Sequence, residues 1–237
     1  ALFVSTDRGA IYCFGKKRAR STTPSIVGQA KPPKRTEGPS FAKESAATIL
    51  AHAPLKKGYG LVLGGDDGEL IRRLAEGSEL RVIGVASDAD QVAKMRQTLD
   101  RQGVYGGSVR VHQGDLRSLD YTDYLFNLLV VDPSVDLGRD DDSIDELFRL
   151  LRPMGGAAMI YVADSTKADE VVTRWRRKTF RDDATLLTVD SKGGGWIKIE
   201  RGPISGTGEW THMYGGPGNA TYSGDQQVGG DMELLWF

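Results

Sequence analysis

Gly64, Gly65, Asp66, Asp67 and Gly68 stand directly after the apolar run at 59–63 and before a helical pattern at 68–76. Glycines at such a junction let the backbone approach a ligand closely and aim the first helix amides at its anionic end. The chemistry expected of Gly64, Gly65 and Gly68 is therefore binding. Three further carboxylates follow apolar runs in the same way: Asp88 after 81–85, Asp115 after 108–112 and Asp132 after 126–131. Asp132, at a strand's carboxyl end, faces the crevice where open α/β sheets hold their ligands, whereas a lone Asp at a strand end, such as Asp115, also reads as a turn former. Asp132 is the one candidate for a general base there, because the three histidines fall elsewhere: His52 at a helix end, His112 within a strand, His212 beyond the region. The single cysteine, Cys13, lies in an apolar run and reads as core. One cysteine excludes an internal disulfide framework and a multi-cysteine zinc site, and no metal-ligand set is expected.

The elements that must position these residues alternate in type. The pattern predicts a helix from Ser40, as N-cap, to Ala53, stopped by Pro54. Strands follow at 59–63, 81–85, 108–112, 126–131 and 156–162, with helices at 68–76, 88–102, 142–151 and 165–178. Asp88 caps its helix, and Gln91 three residues on completes a capping box. The strands are near-continuous apolar runs, which implies a parallel sheet covered on both faces. Residues 184–189 and 195–200 are joined by a link too short for a parallel crossover, so they form an antiparallel hairpin. The expected fold class is α/β, a Rossmann-like doubly wound seven-stranded sheet with an antiparallel terminal hairpin.

The chain has 237 residues, 31 basic and 32 acidic, and 39% are hydrophobic. That is enough apolar chain for a real core, and no run of about 18 apolar residues exists to span a membrane. Charge is uneven. Residues 1–40 hold eight basic residues against two acidic, together with Pro24, Pro32, Pro33 and Pro39. Residues 16–40 read as a solvated basic linker. No aromatic residues interleave with its cations, which argues against a nucleic-acid stacking surface. Residues 1–15 read as two short strands around a turn at Asp7–Gly9. From 202 to 237 the sequence is Gly-rich, aromatic-rich and irregular.

Residues 41–201 resemble a class I S-adenosylmethionine-dependent methyltransferase. The motifs run in order: GLVLGGDDGEL at 60–70, VIGVASDADQVAKMR at 82–96, HQGDL at 112–116, LLVVDP at 128–133 and LFRLLRPMGGAAMIY at 147–161. The resemblance implies S-adenosylmethionine as cofactor. Gly64, Gly65 and Gly68 would meet its methionine carboxylate, Asp88 its ribose diol, and Asp115 with Leu116 its adenine. Asp132, near the transferred methyl, would be the catalytic candidate. Two positions depart from the family pattern. Asp66 replaces a glycine; it either favours the ligand's ammonium over its carboxylate or, like Asp67, caps the next helix. Ala86 stands where the family usually has the acid that accepts both ribose hydroxyls. Ser134 and Val135 replace the aromatic that follows in base-amino methyltransferases, which argues against nucleic-acid amino methylation.

The flanks resemble something else. Trp210, Tyr214-Gly215-Gly216, Asn219, Tyr222-Ser223, Gln227-Val228, Leu234 and Trp236 look like the opening segment of a PQQ-like, quinoprotein-dehydrogenase-type β-propeller. Residues 1–15 look like a propeller strand pair. The expected organisation is thus 1–15 propeller-type strand pair, 16–40 linker, 41–201 methyltransferase-like domain and 202–237 propeller-type segment. The chain is then a piece of a longer protein, and its partner is the remainder of a β-propeller in the parent chain. The functional expectation is methyl transfer to an unknown acceptor. The alternative is a degenerate, non-catalytic module in a propeller protein, possibly a quinoprotein oxidoreductase. The propeller resemblance suits an exported or periplasmic location, and an active methyltransferase a cytoplasmic one.

Overall fold

A computed structural model describes residues 2–5, 11–14, 41–135, 141–163, 168–179, 184–191, 194–219 and 224–227. The linker at 16–40, with the Ser40 cap, and the tail from 228 lie outside the described residues. The chain divides into two compact units, Ala1–Lys31 and Pro32–Phe237. The first contains an antiparallel pair, β1 (Leu2–Ser5) and β2 (Ile11–Phe14), in which Leu2 faces Phe14 and Ser5 faces Ile11.

The second unit is built on a seven-stranded sheet. Its strands are β3 (Lys57–Leu63), β4 (Glu79–Ala86), β5 (Val109–Gln113), β6 (Leu128–Val131), β7 (Ala157–Val162), β8 (Thr185–Ser191) and β9 (Gly194–Glu200). They lie in the order β5-β4-β3-β6-β7-β9-β8. Every pairing from β5 to β7 is parallel; β9 pairs antiparallel with both β7 and β8. The predicted hairpin is therefore present, with Thr185 opposite Glu200 and Ser191 opposite Gly194.

Helices α1 (Phe41–His52), α2 (Glu69–Glu76) and α3 (Ala89–Arg101) cover one face, and α4 (Asp141–Leu150) and α5 (Ala168–Thr179) the other. Strand alternation sorts the core between them. Val62, Val82, Val130 and Met159 pack with Ile49, Ile71, Leu74 and Leu99; Leu61, Leu63, Leu129 and Ile160 pack with Ile144, Leu147 and Trp175. All four residues of β6 are fully buried, as a central parallel strand requires.

The order reverses at β3: the chain moves outward through β4 and β5, then returns to place β6 on the other side. Such a switch point opens a crevice at the carboxyl ends of the strands. The sheet holds the loops there directly. Gly64 N–H donates to Val85 O at 2.9 Å, Gly114 N–H to Ala86 O at 3.1 Å and Asp132 N–H to Leu63 O at 3.0 Å. Each loop thus leaves its strand with one further ladder bond made.

Candidate functional site

Two cavities open at this crevice. One, of about 360 Å³, is lined by Gly64, Asp66, Ala86, Ser87, Gln91, Leu116, Ser134 and Val135. The other, of about 450 Å³, is bordered by Phe41, Gly65, Asp66, Gly68, Asp132 and Ser134, among others. Asp66 and Ser134 belong to both.

The glycine loop is shaped for close approach. Gly64, Gly65 and Gly68 all have left-handed backbones, at φ 85°, 95° and 80°. A Cβ at Gly65 would meet nothing within 4 Å, whereas one at Gly64 would strike Val135 and Ser134. Gly64 is the tight position and Gly65 the open one. Of the two acidic residues that follow them, Asp67 makes a local turn bond to the first helical amide: its Oδ1 accepts from Glu69 N–H at 3.0 Å. Asp66 is exposed and borders both cavities. The N-cap itself is Gly68, with no side-chain cap.

Behind the loop, Arg72 is buried on α2, with Nε donating to Glu69 Oε2 at 2.9 Å and a second ion pair to Glu76. The hydrogen bond from Arg72 holds the Glu69 carboxyl below the usual carboxylate range, against the opposing effect of burial.

The other predicted residues separate. Asp88 is the N-cap of α3, its Oδ1 accepting from Gln91 N–H at 2.7 Å. The return half of the expected capping box is not made. Gln91 turns its side chain across the crevice instead, and Nε2 donates to Gly65 O at 3.0 Å. Leu116 lines the 360 Å³ cavity, but Asp115 does not. Asp115 is exposed, takes Arg117 N–H on Oδ1 at 2.9 Å, and borders a separate cavity of about 140 Å³ with His112 and Tyr121. There His112 Nδ1 lies 2.7 Å from the Tyr121 hydroxyl, and burial pushes that phenol up to about 12.

Asp132 is half-buried at the end of β6. Its Oδ1 accepts from Ser134 N–H at 3.0 Å and from Ser134 Oγ–H at 2.7 Å. Its second oxygen carries no hydrogen bond among the described residues. Ser134 Oγ in turn lies 3.4 Å from Gly65 N–H, which donates to it. At the mouth of the larger cavity, the half-exposed Phe41 ring stands edge-on to Tyr161 at 5.2 Å. Sequence reasoning missed Gln91 and Ser134 as parts of this site. Among the described residues no group of three or more His, Cys, Asp or Glu side chains could hold a metal ion. No helix among them is long and apolar enough to cross a membrane.

The strand order, the terminal hairpin and a glycine loop at the switch point define a nucleotide-type crevice in a Rossmann-like sheet. Residues 61–155, less than half of the chain, match the family model described as a methyltransferase domain. The fold is that of S-adenosylmethionine-dependent methyltransferases. The chain is similar to one such enzyme from Aquifex aeolicus at 12% identity and TM-score 0.54, covering 69% of this chain and 93% of that one. It is similar to the [4+2]-cyclase SpnF at 16% identity and TM-score 0.57, covering 69% and 82%. A third likeness is to geranyl diphosphate C-methyltransferase from Streptomyces coelicolor A3(2), solved with S-adenosyl-L-homocysteine, at 12% identity and TM-score 0.50, covering 66% and 75%. No curated protein sequence matches the chain. Identities this low define the fold, and a cyclase among the likenesses means the fold alone does not define the reaction.

Proposed function

We propose that residues 41–201 bind S-adenosylmethionine in the crevice and transfer its methyl group to an acceptor held beside Asp132. The observation that carries this is the left-handed glycine turn at the switch point: Gly64 lines a cavity together with Leu116 and Gln91, and Gly65, whose Cβ position is open, borders the adjoining one. An unobstructed left-handed glycine at a strand-to-helix turn lets a ligand lie against the main chain. The cofactor fits the residues present: Leu116 offers an apolar contact for a base, and the peptide groups of 64–68 offer polar contacts at the other end. Ala86 supplies no acceptor for a ribose diol, and Asp88 is engaged as a cap. The diol would therefore rest on backbone, on Ser87 or on Asp66, the carboxylate that lines this cavity.

The cofactor, when bound, supplies an electrophilic methyl on a sulfonium. The protein's part is to hold an acceptor in line and to take its proton. Asp132 suits the second task. Its Oδ1 is occupied by Ser134, so its other oxygen is left to accept from an N–H or O–H in the larger cavity. We propose further that the flanks are pieces of β-propeller blades. The antiparallel β1–β2 pair supports that reading.

Calorimetric titration with S-adenosylhomocysteine tests the cofactor assignment. Saturable one-to-one binding is expected. Absence of heat at about millimolar ligand, where a binding free energy near -4 kcal/mol would still register, would leave a methyltransferase fold without its cofactor.

A further inference from the structure

Gly65 is held through both of the peptide groups that meet at it. Its carbonyl accepts from Gln91 Nε2 at 3.0 Å, reached from the first turn of α3. Its N–H donates to Ser134 Oγ at 3.4 Å, reached from the loop after β6. The two side chains belong to different elements, 26 and 69 residues away in sequence. Both line the 360 Å³ cavity. Neither bond is needed to make the secondary structure nearby. Asp88 caps α3 through the Gln91 main chain, and Gly64 N–H is already bonded to Val85 O. Gly65 has no side chain and no neighbour at its Cβ position, so no side-chain packing fixes the two peptide planes that meet there. Hydrogen bonds must do so.

Ser134 has a second duty. The same hydroxyl that accepts from Gly65 donates to Asp132 Oδ1 at 2.7 Å. One oxygen therefore joins the glycine loop to the carboxylate, and Gly65, Ser134 and Asp132 all border the larger cavity.

We propose that Gln91 and Ser134 are positioning residues: Gln91 fixes the peptide group after Gly65 and Ser134 the one before it, so that the glycine turn is set between the two cavities, and Ser134 couples the turn to Asp132. This rests on the cofactor reading given above. Neither residue touches the reacting atoms. They set the orientation of groups that do, so that a ligand lying on Gly65 meets a peptide already turned toward it, at a lower ordering cost.

The test uses the full chain and S-adenosylhomocysteine as probe. Gln91→Met keeps the stem and the main-chain cap but removes the amide donor. Ser134→Ala removes the hydroxyl, and Ser134→Thr restores it. Each loss should weaken the probe about ten-fold, the effect of one net hydrogen bond, and the threonine variant should return to within about two-fold of the parent. Amide exchange at Gly65, followed without ligand, should speed up in Ser134→Ala and recover in Ser134→Thr. Parent-like affinity in both Gln91→Met and Ser134→Ala would overturn the proposal. So would equal losses accompanied by a fallen thermal midpoint and no rescue by threonine, since that pattern marks a merely structural role. A parent chain that takes up no probe at all removes the cofactor reading, and this assignment with it. Binding by the parent with unchanged variants removes only the assignment.

Discussion

A Cβ placed at Gly68 would lie 3.1 Å from Cγ of Leu99, a fully buried residue of α3. The glycine loop is thus pressed onto the neighbouring helix from below while its upper side stays open at Gly65. Gly68 also has φ 80°, which a side chain tolerates poorly. Gly68→Ala should cost about 1–3 kcal/mol, combining left-handed strain with overpacking. Gly65→Ala meets no neighbour and should lose only the strain part, about 1 kcal/mol. Urea denaturation of the two variants measures the difference; equal losses would mean that Leu99 gives way.

Acid should act on the stability of the domain through two carboxylates paired with arginines, Glu69 and Glu146. The hydrogen bond from Arg72 holds the Glu69 carboxyl below its ordinary range, and that from Arg149 does the same for Glu146, which also accepts Leu119 N–H. A carboxyl whose folded pKa is depressed contributes stability above its unfolded pKa, about 4.3, and loses it as pH falls through the folded value. Denaturant midpoints should therefore hold from neutral pH down to about 5 and fall below it. Glu69→Gln should cost about 1 kcal/mol at neutral pH and flatten part of the acid fall. An acid limb identical to that of the parent would show that Glu69 does not supply it.

At the alkaline end the relevant group is Tyr121. Burial pushes its phenol up to about 12, with His112 Nδ1 at 2.7 Å and the Phe126 ring edge-on at 5.2 Å. An acid with a raised folded pKa favours the fold while the unfolded form is also protonated, below about 10, and loses that contribution as pH rises toward 12. Tyr121→Phe should soften the alkaline fall. In a spectrophotometric titration it should remove one phenolate from the last-titrating fraction. A phenolate lost from the early fraction near pH 10 would contradict the burial argument.

Much of this architecture was legible because parallel strands buried on both faces read as unbroken apolar runs; Leu128–Val131 is the plainest case. The hairpin was legible from a link too short to cross over. The helix starts were legible where a local side chain makes the cap, as at Asp88. What stayed hidden is tertiary. Gln91 sits three residues after a capping Asp, and that spacing points to a partner on its own helix turn; its side chain instead bonds Gly65. Ser134 read only as a residue standing where an aromatic was missing. Asp115 and Leu116 are neighbours in sequence, yet they line different cavities, a separation made by the turn after β5.

That last separation bears on the adenine contact. Leu116 borders the 360 Å³ cavity, while Asp115 is exposed and already accepts Arg117 N–H. Leu116→Asp should weaken S-adenosylhomocysteine by about 2 kcal/mol or more, since it places a charge where an apolar contact is expected. Asp115→Ala should weaken it by less than about 1 kcal/mol. The reverse ranking by calorimetry would return the adenine contact to Asp115.

The flanking segment after β9 should be dispensable for folding. Its first residues are tied to the sheet: Gly155 N–H donates to Arg201 O at 2.9 Å and Met154 N–H to Gly202 O at 3.0 Å. Arg201 itself is buried, with Nη1 donating to Phe148 O at 2.7 Å and the guanidinium 4.2 Å from the Phe148 ring. The segment beyond 203 bonds to itself. Gln226 N–H donates to Gly206 O at 2.7 Å, Gly208 N–H to Asp225 at 2.9 Å and Gln227 Nε2 to Ser205 O at 2.6 Å. The segment exposes Trp210, Met213 and Tyr214, whose apolar area contributes nothing to a core while it faces water. A chain of residues 41–203 keeps α1, every strand of the large sheet and both anchors at 201 and 202. Its thermal midpoint should fall by no more than about 4 °C, the shift for roughly 1 kcal/mol in a domain of this size. A chain ending at 199 loses Arg201 and should drop much further, by about 3 kcal/mol or more, because the Phe148 and Leu151 carbonyls lose a charged donor and the ring contact goes with it. Unfolding of 41–203 would mean that the segment after 203 belongs to the core, and would remove the reading of it as a piece of a neighbouring propeller.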